Sequence, residues 1–189
     1  GAGPPPFRRP LPPPLPPTEL TQLTGSPTAP PTYTLPRMSR PALPFGRALK
    51  EAQNNAYAEK APPADVEGMD ACRKICILAA LAYGIHIYPE QVYTCGITAI
   101  APEDVPCAEA SGMQIKLLGR TFRTEDGKIA IYVSPHLVPN DKPLAGVEGV
   151  FNAIMIRGNA VGDVMFYGRG AGKMPTASAV VGDVVDCIL

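Results

Sequence analysis

The sequence lacks a net charge, a long hydrophobic run, any CxxC cysteine pair and all but two histidines. Its 17 lysines and arginines are matched by 17 aspartates and glutamates. Such a chain offers no broad electrostatic attraction to nucleic acid or to acidic membranes. No tract of about 18 uncharged apolar residues occurs, so no membrane span is expected. The opening Gly1-Ala2-Gly3, followed by prolines, has neither the basic nor the apolar region of a secretion signal. The five cysteines, Cys72, Cys76, Cys95, Cys107 and Cys187, are odd in number and scattered. Cys72 and Cys76 stand four apart, as half of a metal site would, but His86 and His136 are isolated and nothing completes a ligand set. Two small buried residues are the simpler account. This cysteine usage fits a reducing cytoplasm.

Proline is what the chain has in excess. Fifteen of its 24 prolines fall within residues 1–45. Runs such as Pro4-Pro5-Pro6 and Pro12-Pro13-Pro14 cannot sit inside a helix or a central strand. Read alone, this stretch is a proline-rich tail that a proline-reading module could bind. The rest reads as ordinary globular sequence. A helix is expected over Phe45–Asn54, and a long one over residues 65–84, with Asp65 as N-cap and Gly84 as stop. A strand is expected within Val92–Ile100 and a short helix over Pro102–Ser111. Strands are also expected over Met113–Phe122, Lys128–Val133, Val147–Ile156 and Ala160–Tyr167, followed by a helix opened by Pro175. Hairpin-joined strands flanked by helices give an α+β fold, with a mixed, mainly antiparallel sheet covered by helices on one face.

Two places carry candidate chemistry. Ile75 to Tyr83 is apolar all round and reads as buried on every face. Just before it, Asp70 and Lys74 share a face at i,i+4 spacing. A lysine at the mouth of a buried helix is partly desolvated and usable as a proton carrier, and a carboxylate one turn away can orient it. From spacing alone, a surface ion pair beside an ordinary N-cap is the simpler reading. Glu59 and Asp65 lie on the approach to this helix, where loops commonly carry ligand contacts. The second place is Gly168-Arg169-Gly170-Ala171-Gly172, between a strand and the Pro175 helix. Glycines before a helix N-terminus make an anion site. They equally make a tight loop that needs glycine for backbone geometry alone. The spacing is that of neither a Walker A loop nor a GxGxxG fingerprint.

Residues 57–74, YAEKAPPADVEGMDACRK, and residues 167–183, YGRGAGKMPTASAVVGD, resemble the signatures of homoserine dehydrogenases. Residues 143–163, PLAGVEGVFNAIMIRGNAVGD, are similar to the same family at the matching place. The likeness covers residues 45–189 and extends back through Leu23-Thr24-Gly25, Tyr33, Leu35 and Arg37-Met38-Ser39-Arg40. There, Ala29, Pro30, Pro31 and Thr32 stand where the family carries a pocket-lining Gly-Thr-Thr-Asn motif. Ala61 replaces a usual Asp, and Cys95 a more usual acidic residue.

The resemblance implies NAD- or NADP-dependent interconversion of L-homoserine and L-aspartate 4-semialdehyde, towards threonine, methionine and isoleucine. On the matched positions, Lys74 would donate the proton to the aldehyde oxygen and Asp70 would orient it. Glu59 and Asp65 would hold the substrate, and the Gly170-Ala171-Gly172 turn would face the cofactor. The family's alkali metal ion sits near the place of Gly1-Ala2-Gly3. The resemblance also implies a cytoplasmic homodimer without nucleic-acid or membrane partners.

Three regions follow. Residues 1–45 are a diverged, proline-rich start whose order is left open, and residues 46–167 are the catalytic, substrate and dimerisation domain. Residues 168–189 are a glycine turn and helix returning to a nucleotide-binding half. Relatives carry that half upstream as a Rossmann domain, and this sequence holds none, so the chain alone is expected to be inactive. Against the oxidoreductase reading stand a non-catalytic remnant keeping only the dimer-forming scaffold, and an interaction module working through its prolines.

Overall fold

The computed structural model describes residues 20–26, 29–38, 43–54, 63–170 and 173–188. In chain order the elements are β1 (Leu20–Ser26), α1 (Ala29–Arg37), α2 (Phe45–Asn54), α3 (Pro63–Val66), α4 (Met69–Tyr83) and β2 (Tyr93–Thr94). They continue with α5 (Asp104–Ala110), β3 (Met113–Arg123), β4 (Ile129–Pro139), β5 (Phe151–Gly158), β6 (Gly162–Arg169) and α6 (Lys173–Ile188). Short 3-10 turns cover Pro89–Gln91 and Pro143–Gly146.

The six strands form one sheet in the order β2-β4-β3-β1-β5-β6. All neighbours are antiparallel except β2 and β4. The sheet is therefore mixed and mainly antiparallel, as the strand pattern implied. Side chains alternate across it. One face carries Leu23, Leu117, Val133, Ile154 and Ile156 into a core shared with Leu35, Ala71, Ile75 and Leu78 of α1 and α4. The other face is covered in part, where the Pro143–Gly146 turn and Val147 bury Leu118, Val138 and Ala153.

The proline-rich start is corrected where it is described. β1 lies at the centre of the sheet, between β3 and β5, with Leu23 only 1% exposed. The segment Leu20–Ser26 contains no proline, so it can fill both hydrogen-bond ladders of a central strand. α1 follows although it reads APPTYTLPR. Pro30 and Pro31 fall in its first turn, where the missing N–H groups have no intrahelical partner to lose. Pro36 leaves the Thr32 carbonyl without its i+4 donor, and the Gly149 N–H takes that place at 3.3 Å. A structural boundary at residue 45 does not exist, because Leu23 and Leu35 share one core with α4.

The helix expected over 65–84 is two. Gly68, at φ +82°, separates α3 from α4 and stands at the α4 N-cap position, so Asp65 lies inside α3 and is not the cap. Gly84, at φ +68°, closes α4 with its N–H on the Ala80 carbonyl. Nor is α4 buried all round: Ile77 is 59% exposed and Leu81 54%, because the helix has the sheet on one side only. β4 runs six residues past its expected end through Pro135 and Pro139. Prolines are tolerated there because β2 pairs only with Tyr132 and Val133, leaving the rest of β4 an edge. β5 begins at Phe151 rather than Val147, since residues 147–150 cross from the 3-10 turn to the sheet.

Candidate functional site

The Asp70–Lys74 pair is positioned from below by a clamp. The Ile97 N–H donates to the Val66 carbonyl at 2.8 Å, and the Cys95 N–H to the Val133 carbonyl at 2.9 Å. Gly96 lies so close to the Val66 carbonyl and the Glu67 Cα that a side chain there would overlap backbone. At Gly68 the chain reverses: its N–H donates to the Asp65 carbonyl at 3.2 Å, and its carbonyl accepts from the Cys72 N–H at 2.8 Å. The α4 N-terminus is thus pinned against β4, and Asp70 lies in its first turn, where the helix dipole favours a carboxylate.

One turn on, the Lys74 Nζ lies 2.7 Å from the Asp70 Oδ2. The side chains are 16% and 24% exposed, so the pair is largely withdrawn from water. An ammonium held this way is oriented by its carboxylate, yet it keeps further N–H bonds that can reach a substrate oxygen. The arrangement can therefore move a proton at a fixed point. Asp65 stands just upstream on α3 and is partly buried. Glu59, Ala171 and Gly172 lie outside the described residues. Cys72 and Cys76 are both buried, as expected. The Cys72 thiol donates to the Pro89 carbonyl, and burial beside it pushes the Cys76 thiol up to about 11. Neither is a reactive thiolate at neutral pH.

The glycine turn is reached from β6. The Gly170 N–H donates to the Val150 carbonyl at 3.0 Å. A Cβ on Gly170 would coincide with the Asn152 side-chain amide, so this glycine permits a close backbone approach whatever the turn binds. α6 begins at Lys173, three residues later, and its N-terminus opens beside the turn. It packs only lightly on the sheet among the described residues and exposes Val180, Val181, Val184 and Val185.

Residue pattern alone did not reveal the feature that links these two places. Lys116, in the middle of β3, is 2% exposed, and its Nζ donates to the Val147 carbonyl at 2.8 Å. Glu148 lies 3.9 Å away and is half exposed. Burial drives the Lys116 ammonium below its usual range, with Glu148 opposing. The signal was present as a charged residue inside the apolar run Met113–Leu118, on the strand face that also carries Leu118. Next to it, the Thr32 hydroxyl donates to the Gly149 carbonyl at 2.7 Å.

A cavity of about 530 Å³ opens beside Thr32, Tyr33, Gly149 and the stacked rings of Phe151 and Tyr167. Another of about 390 Å³ lies on the less covered sheet face, lined by Thr24, Arg120, His136, Arg157 and Met165. Neither is lined by Asp70 or Lys74. Among the described residues no helix is long and apolar enough to cross a membrane. No group of three or more His, Cys, Asp or Glu side chains could hold a metal among them.

Comparison with known proteins adds the following. The sequence model of the Homoserine dehydrogenase family matches residues 8–185. The homoserine dehydrogenase of Pseudomonas aeruginosa is 46% identical over 156 residues, covering 82% of this chain and 36% of that protein. That of Bacillus subtilis is 41% identical over 166 residues, covering 88% and 38%. Among solved structures, a homoserine dehydrogenase from Thiobacillus denitrificans superposes with a TM-score of 0.84 at 43% identity, over 89% of this chain and 39% of that one. A hyperthermophilic archaeal homoserine dehydrogenase in complex with NADPH does so with 0.71 at 29% identity, over 89% and 47%. The chain thus spans well under half the length of the relatives it matches.

Proposed function

This chain belongs to the homoserine dehydrogenase family, and on that premise we propose that it forms the substrate and proton-transfer part of an NAD(P)-dependent enzyme interconverting L-homoserine and L-aspartate 4-semialdehyde. The observation that carries the reading is the shielded Lys74–Asp70 pair at 2.7 Å, at the place of the family signature. Lys74 delivers a proton to the aldehyde oxygen in reduction and withdraws it in oxidation, while Asp70 holds the ammonium on target. Asp65 and Glu59 take the substrate ammonium, which needs carboxylate partners.

The Gly170–Gly172 turn faces the cofactor. The close approach at Gly170 and the following α6 N-terminus fit a phosphate-bearing ligand. When bound, NAD(P) supplies the redox chemistry, and the protein supplies position and proton traffic. The exposed valines of α6 suit a helix that packs on a nucleotide-binding half. The sheet face carrying Met165 and Tyr167, 37% and 50% exposed, suits the contact of a homodimer. The family's alkali metal ion belongs near Gly1–Gly3, outside the described residues. Five free cysteines are in keeping with work in the cytoplasm, in the biosynthesis of threonine, methionine and isoleucine.

Titration calorimetry with L-homoserine tests the reading. The 189-residue chain is expected to bind it, and Lys74→Met and Asp70→Asn to weaken binding about tenfold or more. Silence from the wild-type chain would favour a scaffold that has kept the fold and lost the site.

A further inference from the structure

We propose that Lys116 is a positioning residue whose buried ammonium fixes the 147–150 crossover, and through it both the Thr32 end of α1 and the start of the glycine turn at Gly170. The inference rests on the functional reading only in taking those two ends as substrate-side and cofactor-side.

The crossover is a hub of hydrogen bonds that belong to no regular element. The Val147 carbonyl accepts from the Lys116 Nζ at 2.8 Å. Gly149 exchanges two bonds with Thr32: the Thr32 hydroxyl donates to the Gly149 carbonyl at 2.7 Å, and the Gly149 N–H donates to the Thr32 carbonyl at 3.3 Å. That carbonyl is open to Gly149 because Pro36, four residues on, has no N–H to give it. The Val150 carbonyl accepts from the Gly170 N–H at 3.0 Å, and Gly170 lies against the Asn152 side chain. Four consecutive residues therefore touch a strand from below, a helix on one side and the glycine turn on the other.

A fully buried ammonium is costly and persists only where its bonds are worth more than its desolvation. The apolar neighbours Leu118, Val138, Leu144 and Val147 would accept a leucine or methionine at position 116 without loss of packing. What such a side chain would lack is a donor for the Val147 carbonyl. Lys116 is also the kind of anchor that does not bend: its strand is bonded to β4 along its whole length, from Met113 to Arg123.

Amide hydrogen exchange on the full 189-residue chain tests the assignment, comparing wild type with Lys116→Met. The expected result is at least a tenfold faster exchange at Gly149 and Gly170, with the β3–β4 ladder within about twofold of wild type. Unchanged rates at Gly149 and Gly170, or rates that rise in step with the whole ladder, would overturn it. A second measurement needs no variant. In the wild-type chain the Lys116 ammonium should give a protected nitrogen resonance coupled to the Val147 carbonyl carbon, and a freely exchanging ammonium would refute the proposal. Homoserine calorimetry on the same samples keeps the two ideas apart. A wild-type chain that binds no homoserine counts against the functional reading, while the exchange pattern still decides the role of Lys116.

Discussion

Replacing Gly68 by alanine probes the joint that aims the Asp70–Lys74 pair. Two costs can be separated. At φ +82° an alanine sits in the left-handed region, which costs about 1–2 kcal/mol. Its Cβ would also meet the Thr94 Cγ2 at 3.2 Å and the Val133 Cγ1 at 3.3 Å. Crowding of that kind in a packed core adds about 1 kcal/mol or more. Reduced freedom of the unfolded chain returns about 0.5 kcal/mol. The net loss is about 2–3 kcal/mol, or about 5–10 °C in melting temperature for a chain of this size. Gly84→Ala is the internal control, because it has φ +68° and nothing within 4 Å of the added Cβ. It carries the conformational cost alone and should lose only about 2–5 °C. Thermal melts followed by circular dichroism measure both. Equal losses in the two variants, or less than about 2 °C for Gly68→Ala, would refute the claim that this turn is wedged between β2 and β4.

Gly96→Ala should be worse than either, since its Cβ would overlap the backbone at Val66 and Glu67. Urea unfolding should show a loss of about 3 kcal/mol or failure to fold. Lys74→Met leaves the Asp70 carboxylate, 24% exposed, without its cation. A stability loss of about 1–2 kcal/mol is expected, between exposed and buried pairs, and a double-mutant cycle with Asp70→Asn should recover most of it as coupling. His136 gives a pH signature. Burial lowers its pKa below the usual 6.5, outweighing its bond to the Ser134 carbonyl, with Arg120 adding to the fall. The unfolded chain therefore takes up this proton first. Wild type should lose stability as pH falls below about 6.5, and His136→Asn should flatten that part of the profile in melts at pH 7.5 and pH 5.

The two motifs illustrate different degrees of legibility. Asp70 and Lys74 could be paired from spacing, because i and i+4 are neighbours on any helix. Whether the pair was withdrawn from water could not be read, since that depends on what lies over the first turn of α4. The same limit explains the error along α4. The run Ile75–Tyr83 is apolar all round, yet Ile77 and Leu81 face outward. Hydrophobic pattern tells which side chains prefer burial and not how many layers the fold will supply. At the N-terminal end the error ran the other way. Proline density suggested a tail, while the seven proline-free residues of β1 form the middle of the sheet.

Local chemistry in the sequence by itself determined the helix over Phe45–Asn54, the β3–β4 hairpin, the close of α4 at Gly84 and the family, through two long motifs in order. Each depends on residues near one another in the chain, where turn preference, periodicity and spacing act directly. Tertiary structure alone decided the central place of β1, the break at Gly68 and the burial of Lys116. Each of these depends on groups from 29 residues upstream to well over a hundred residues downstream, whose mutual approach no local preference encodes. Lys116 meets Val147 across the sheet, Gly68 meets Val133, and the Thr32 carbonyl freed by Pro36 finds its donor at Gly149. A buried polar group must have a partner, but only the folded chain determines which one it has.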